Sequence, residues 1–514
     1  MMEKEHESTY DFNPPRCFKT DKAAQAMISD CERETLSYDT FILGEDPRCH
    51  VSTDCYETQL NNNFAVVGGS GSGKTRSVMM PILLHLEHSN AIGIFTKWGM
   101  LTSVRRLLQK RGYKVHVLNL SEPDKSDYSF DPLVYCKTDE DIRNLAQAII
   151  YSAPQDGGNR DPYWETSAAN LLEIVLWVVK HYALPGKDTM ATALCLLERL
   201  IWNDDEYNWK DMDNKEMAQC PAHYILDKFS AEDPVKHAVW RNYKTLPDTT
   251  GACVTSSLQT PLNAVFPAAV RRCISGAEQF DFSKLTDEKT VLFVYVSPVN
   301  VANHRYAALF YSQVFKSLFE IAEARKERVL PYPVHVLCDD FATGGKIPNF
   351  EKHISIFREK RIAVTMLLQS ETQLASIYGD IDAKTIINNC DTYVFLGGMD
   401  DNTIESIAKK TDVPASEVRN MPIGTEYFIR RGQKAIRTKR YDISKDPVYL
   451  SEIKGKEEDE AVVRQTASQE EMKPKSAREL FSLFGIQFPK EKRQDGKNGA
   501  ERQQMMGRRP WGSQ

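Results

Sequence analysis

Long hydrophobic runs, paired cysteines and excess positive charge are all missing from this 514-residue sequence. No stretch approaches the ~20 apolar residues that a bilayer-spanning helix requires. The best run, Leu171 to Leu184, is broken by Glu173, Lys180 and His181 and reads as a buried helix. The 11 cysteines include no Cys-x-x-Cys pair, and the nearest two, Cys49 and Cys55, lack a second half that would complete a zinc site. Unclustered thiols in odd number fit a reducing cytoplasm better than a disulfide scaffold. With 65 Lys and Arg against 71 Asp and Glu, the net charge is −6, which excludes coating of nucleic acid by bulk charge. The opening residues, MMEKEHESTYDF, carry acids where a secretion signal needs a basic start and an apolar core.

What remains is the composition of a globular protein: 41% hydrophobic and 26% charged residues rule out wholesale disorder. The length suits about three units of ~150 residues. Short apolar runs of strand length recur at 64–69, 92–96, 114–120, 291–298, 334–340, 362–369 and 392–398, with helical segments between them. That alternation predicts an α/β fold with a parallel sheet covered on both faces. It is interrupted from Asp139 to about Ala264, where no strand is evident. There Trp164, Ala168, Leu171, Leu172, Val175, Leu176 and Val179 mark one apolar stripe of a helix. Segments 426–432 and 434–441 read as a closing hairpin at the sheet edge. The expected division is a lead-in at 1–40, the first part of an α/β domain at 41–135, an all-α insertion at 136–275, the second part of the α/β domain at 276–450, and a polar, basic and partly disordered tail at 451–514. Within the tail, Ser476 and Glu479 have capping-box spacing ahead of Leu480, Phe481, Leu483 and Phe484.

The densest chemical signal is Gly68-Gly69-Ser70-Gly71-Ser72-Gly73-Lys74-Thr75, between a strand and a helix. A phosphate chain must come within hydrogen-bond reach of several backbone N–H groups, and a Cβ would block that approach. The helix start faces the anion, Lys74 reaches the β and γ phosphates, and the Thr75 hydroxyl holds Mg²⁺. ATP and Mg²⁺ are therefore the expected ligands. The buried run 334–338 ends in Asp339 and Asp340, which predicts Asp339 on the Mg²⁺ side and Asp340 polarising the attacking water. Gln369 closes the next strand, where it can bond the γ-phosphate or the water. Arg358 and Arg361 lie between those strands, and Arg358 is the candidate for presentation to a neighbouring subunit's phosphate.

Taken in order, the glycine loop, FDPL (130–133), DPYWE (161–165), CDDFATGGKIPNF (338–350), FREKRIAVTMLLQS (357–370) and QLASIYG (373–379) resemble the type IV secretion coupling proteins, the TraG/TraD-like conjugative DNA-transfer ATPases. The similarity spans roughly residues 41–445. It implies a RecA-like P-loop NTPase domain with an inserted all-α domain, assembling as a homo-hexamer that recruits a relaxase–DNA complex and hands it to a secretion channel. By position it assigns Lys74 and Thr75 to Walker A, Asp339 to Walker B, Gln369 to the sensor and Arg358 to the trans-acting arginine. DNA gripped without sequence preference, a relaxase, and a channel or membrane-anchor protein are the implied partners. The implied location is cytoplasmic, with peripheral docking at the inner face of the membrane as a further option.

Three departures from the family pattern stand out. The usual Walker B glutamate is Asp340, one methylene shorter. The block after the second strand is Thr96-Lys97-Trp98-Gly99-Met100 instead of Asp-Pro-Lys-Gly-Glu. The N-terminal pair of membrane helices is not evident. Two other functions share the same nucleotide site: an FtsK- or HerA-like DNA-translocating ring, and a weakly hydrolysing docking adaptor.

Overall fold

A computed structural model describes residues 38–152, 162–201, 221–274, 278–297, 301–341, 345–454 and 476–487. The lead-in ahead of residue 38 and the basic stretch after Phe488 lie outside the described residues. The described residues open on a short antiparallel pair, β1 (Thr40–Ile42) and β2 (His50–Ser52). One nine-stranded sheet follows, built from β3 (Phe64–Val67), β4 (Asn90–Phe95), β5 (Lys114–Asn119), β6 (Thr290–Tyr295), β7 (Val334–Cys338), β8 (Ile362–Leu368), β9 (Thr392–Phe395), β10 (Thr425–Arg430) and β11 (Ile436–Lys439). Its order is 11-10-9-3-8-7-4-6-5. From β5 across to β9 every pairing is parallel, and the hairpin β10–β11 closes the β9 edge antiparallel.

Burial explains why the strands stand out as unbroken apolar runs. Every residue of β3, β4, β7, β8 and β9 is buried, as expected where helices cover both faces of a parallel sheet. One face packs Phe64, Phe95 and Leu367 against Val78, Ile82 and, from α1 (Trp98–Lys110), Val104. The other face packs Val67, Ile94 and Val336 into a core that runs on without a break into the helical region.

That region comprises α2 (Asp139–Tyr151), α3 (Pro162–Tyr182), α4 (Met190–Ile201), α5 (Pro221–Ser230), α6 (Pro234–Lys244) and α7 (Asp248–Val265); a helix at Ala268–Ile274 leads back towards the sheet. A full capping box starts α2: Asp141 N–H donates to Thr138 Oγ1 at 3.2 Å, and Thr138 N–H donates to Asp141 Oδ2 at 2.9 Å. The sequence marks one apolar stripe on α3. In the fold, burial wraps the helix, taking in Glu173, Ile174, Trp177 and Val178 as well, because α2, α5, α6 and α7 all pack on it. Glu173 is tolerated there because Lys236 donates to Oε1 at 2.5 Å and Arg143 to Oε2 at 3.3 Å.

The Phe-Asp-Pro-Leu motif is a joint between the two regions. Asp131 is fully buried and accepts N–H bonds from Leu133 at 2.9 Å and from Met190, at the start of α4, at 2.7 Å. Desolvation pushes its pKa up to about 7 despite those bonds. Phe130 in turn accepts a bond from the Tyr306 hydroxyl on α8 (Val301–Glu323). The last described helix, α9 (Ala477–Leu483), carries its capping box on Ser476 and Glu479 and packs on the insertion. Phe481 meets Tyr224, Phe484 meets Phe229, and Leu184 N–H donates to Leu483 C=O at 2.9 Å. No helix among the described residues is long and apolar enough to cross a membrane.

Candidate functional site

The glycine loop leaves the C-terminal end of β3 between the ends of its two neighbours. Gly68 N–H donates to Leu368 C=O at 3.0 Å on β8, and Gly69 N–H to Gly397 C=O at 2.9 Å beyond β9. Gly71 and Gly73 have φ of +73° and +86°, a conformation that side chains disfavour. At Gly68 the constraint is space, since a Cβ would collide with Ser72. The helix then begins with a π-turn, Thr75–Met79, and continues as Met80–Leu84.

Lys74 is buried, and its ammonium folds back onto the loop's own carbonyls, 2.6 Å from Gly68 O and 3.2 Å from Gly69 O. Burial lowers its pKa, opposed by the charges of Asp340 and Asp339. Two strands away, β7 delivers Asp339 to the same place: Thr75 Oγ1 donates to its Oδ1 at 3.2 Å. Thr96, at the end of β4, donates to Oδ2 at 3.1 Å. The Asp339 pKa is raised, by burial first and by Asp340 second, with the Thr96 and Thr75 bonds pulling the other way. Asp340 adopts φ of +50°, a left-handed conformation that Asp accepts more readily than most residues. Among the described residues no group of three or more His, Cys, Asp and Glu is arranged to hold a metal alone.

These groups share one open cleft of about 660 Å³, which Gln369 also lines from the exposed end of β8. Loop, Lys74, Thr75, Asp339, Asp340 and Gln369 are thus brought together. Arg358 is not with them. It sits in the turn that enters β8, so the seven-residue strand separates it from the cleft of its own chain by ~23 Å. There its guanidinium donates to Cys55 C=O at 3.2 Å. Arg361, at φ of +58°, donates to Leu330 C=O at 3.1 Å.

The sequence matches the family described as Type IV secretory system Conjugative DNA transfer over residues 29–419, well over half its length. This chain belongs to that family. No curated protein matches it. Its fold is similar to the bacterial conjugative coupling protein TrwBdeltaN70 in complex with sulphate, with a TM-score of 0.57, 16% identity, and coverage of 79% of this chain and 88% of that one. TrwB in complex with ADP and Mg²⁺ gives 0.56 at 16% identity, covering 79% and 88%. TrwB with the non-hydrolysable GTP analogue GDPNP gives 0.55 at 17%, covering 74% and 85%. At such identities the likeness bears on the fold: a RecA-like sheet with an all-α insertion.

Sequence reasoning missed three contributors to the cleft of this family member. Thr96, first residue of the departing 96–100 block, supplies the hydroxyl on Asp339 described above. Arg440, just past β11, is folded under the glycine loop: it donates to Ser72 C=O, to Leu396 C=O at 2.7 Å and to Thr425 C=O at 3.2 Å. It ties the loop to the ends of β9 and β10. The third is an apolar wall from Ile443, Tyr449 and Ile453, beyond the hairpin. A polar residue ending a neighbouring strand is a usable signal for Thr96; for the other two only the tertiary fold brings them near. Two basic residues at the C-terminal end of α1 are structural: Arg111 donates to the Leu84 and Leu86 carbonyls at 2.7 and 2.9 Å, and Lys110 pairs with Glu452 at 2.7 Å.

Proposed function

We propose that this chain is an ATP-hydrolysing coupling motor, which recruits relaxase-bound DNA and passes it to a type IV secretion channel during conjugative transfer. The observation that carries the reading is the meeting of Thr75 and Asp339, 3.2 Å apart, at the mouth of a glycine-loop cleft in a member of a conjugative DNA-transfer family. One hydroxyl and one carboxylate form the sparse protein ligand set that Mg²⁺ ordinarily takes, completed by phosphate oxygens and water. The ion would neutralise charge on the β and γ phosphates. The loop N–H groups bind the phosphates; Lys74 leaves the carbonyls of Gly68 and Gly69 for the β- and γ-oxygens. Asp340 accepts a proton from the attacking water, and Gln369 orients that water. Because Arg358 lies at the opposite end of β8 from its own cleft, it acts on a neighbour's site in a ring, a homo-hexamer by family resemblance. The all-α insertion faces the relaxosome. DNA is gripped through its phosphates by local basic surface, with salt-sensitive affinity. The proposed location is the cytoplasm, at or near the inner face of the membrane.

The deciding experiment measures ATP turnover by the purified chain with and without single- and double-stranded DNA, alongside its mass in solution. DNA-stimulated turnover with growth of the assembly is the expected result. Slow turnover that ignores DNA would replace the motor with a docking adaptor, a reading that the short Asp340 carboxylate favours. Retention of a relaxase on the immobilised chain separates a coupling role from that of a general DNA-translocating ring.

A further inference from the structure

The end of the cleft away from Lys74 has a different character, and its construction points to a ligand group. Past β11 the chain crosses the helix that begins at the glycine loop and reaches α1. Asp446 pins this crossing. Its buried carboxylate accepts bonds from the Val448 N–H at 2.8 Å, the Tyr449 N–H at 3.0 Å, the Tyr441 hydroxyl at 2.6 Å and His85 Nε2 at 2.8 Å. His85 ends the loop's own helix, so the crossing is bolted to the element that would carry the phosphates. On the α1 side, Glu452 pairs with Lys110 at 2.7 Å.

Held in this way, the segment turns Ile443, Tyr449 and Ile453 into the cleft, where Met80 meets them. Ile443, Ile453 and Met80 are buried, and the Tyr449 ring is half-buried on the same core. Met80 stands five residues after Thr75, ~7 Å further along the helix axis. That is about the reach of a ribose and base beyond a phosphate seated on the loop.

We infer that Ile443, Tyr449, Ile453 and Met80 form the nucleobase subsite, with the base lying against the Tyr449 ring. The inference rests on the phosphate-site reading above and adds the part that binds the base. Flat apolar contact reads the π-face of a base, which all bases share, and not the donor and acceptor edge that separates adenine from guanine. ATP and GTP therefore bind with similar affinity.

The test compares binding of ATP, GTP and inorganic tripolyphosphate to the full chain and to Tyr449→Ala, Tyr449→Phe and Ile453→Ser. Tyr449→Ala is expected to weaken ATP and GTP together by about 10-fold while tripolyphosphate binding stays unchanged. Tyr449→Phe restores both nucleotides, and Ile453→Ser repeats the selective loss if the alanine variant folds poorly. Unchanged ATP affinity in Tyr449→Ala and Ile453→Ser overturns the subsite, as does an equal loss of tripolyphosphate, or strong preference of the wild type for one purine. If the wild type binds neither nucleotides nor tripolyphosphate, the phosphate-site reading falls, and the subsite with it.

Discussion

Lys74→Ala is expected to reduce ATP turnover by at least ~100-fold, the usual cost of removing one donor aimed at charge that develops in the transition state. Its ammonium is already inside the glycine loop, 2.6 Å from Gly68 O, so it needs only to swing from carbonyl to phosphate. The substitution leaves two loop carbonyls short of a donor, at about 1 kcal/mol each, but it also removes a buried cation whose charge burial disfavours. Thermal stability without nucleotide should therefore move little, whereas the rise in Tm that ATP produces should disappear. A variant that still turns over ATP at the wild-type rate would remove Lys74 from the site.

Asp340→Asn is the informative partner. Asn tolerates the left-handed backbone at φ of +50° as Asp does, so the loop keeps its shape. Loss of the carboxylate should cost ~10²–10⁴-fold in hydrolysis while ATP still binds and still raises Tm. The two variants separate phosphate grip from water activation. If hydrolysis survives Asp340→Asn, a different group polarises the water.

Much of the site is readable in the chain because its parts obey local rules. Glycines are required at Gly71 and Gly73 by positive φ, and Asp339 ends a strand whose burial on both faces leaves an unbroken apolar run. The central sheet is legible for the same reason. What escapes is set by contacts between segments distant in sequence. Arg440 reaches Ser72 across 368 positions, and Asp446 reaches His85 across 361. The stripe predicted on α3 is buried from Ala168 to Val179 but understates the burial, because helix periodicity cannot count how many neighbours will pack on the remaining faces. For Arg358, only the direction of β8 reveals that it sits at the opposite end of the strand from the cleft of its own chain.

A second large effect is expected from Glu426, which no mechanistic step uses. It lies on β10 opposite Thr438, is fully buried, and neither carboxyl oxygen has a hydrogen-bond partner among the described residues. Desolvation raises its pKa to about 9, with Arg440 pulling in the opposite direction. Between the ordinary carboxylate value of 4.5 and about 9, the folded chain holds a proton that the unfolded chain has released. Stability therefore falls as pH rises through that window, by at most ~6 kcal/mol for the full shift. Thermal unfolding at pH 5 and pH 9 should show a drop in Tm for the wild type, and a clearly smaller drop for Glu426→Gln, which cannot ionise. Equal drops would place the pH dependence elsewhere. The consequence reaches the nucleotide cleft, because a neutral Glu426 leaves the Arg440 guanidinium free to serve the carbonyls of Ser72 and Leu396. Once Glu426 ionises, the carboxylate competes for that cation. Loss of nucleotide affinity in the wild type near pH 9, relieved in Glu426→Gln, is the corresponding signature at the glycine loop.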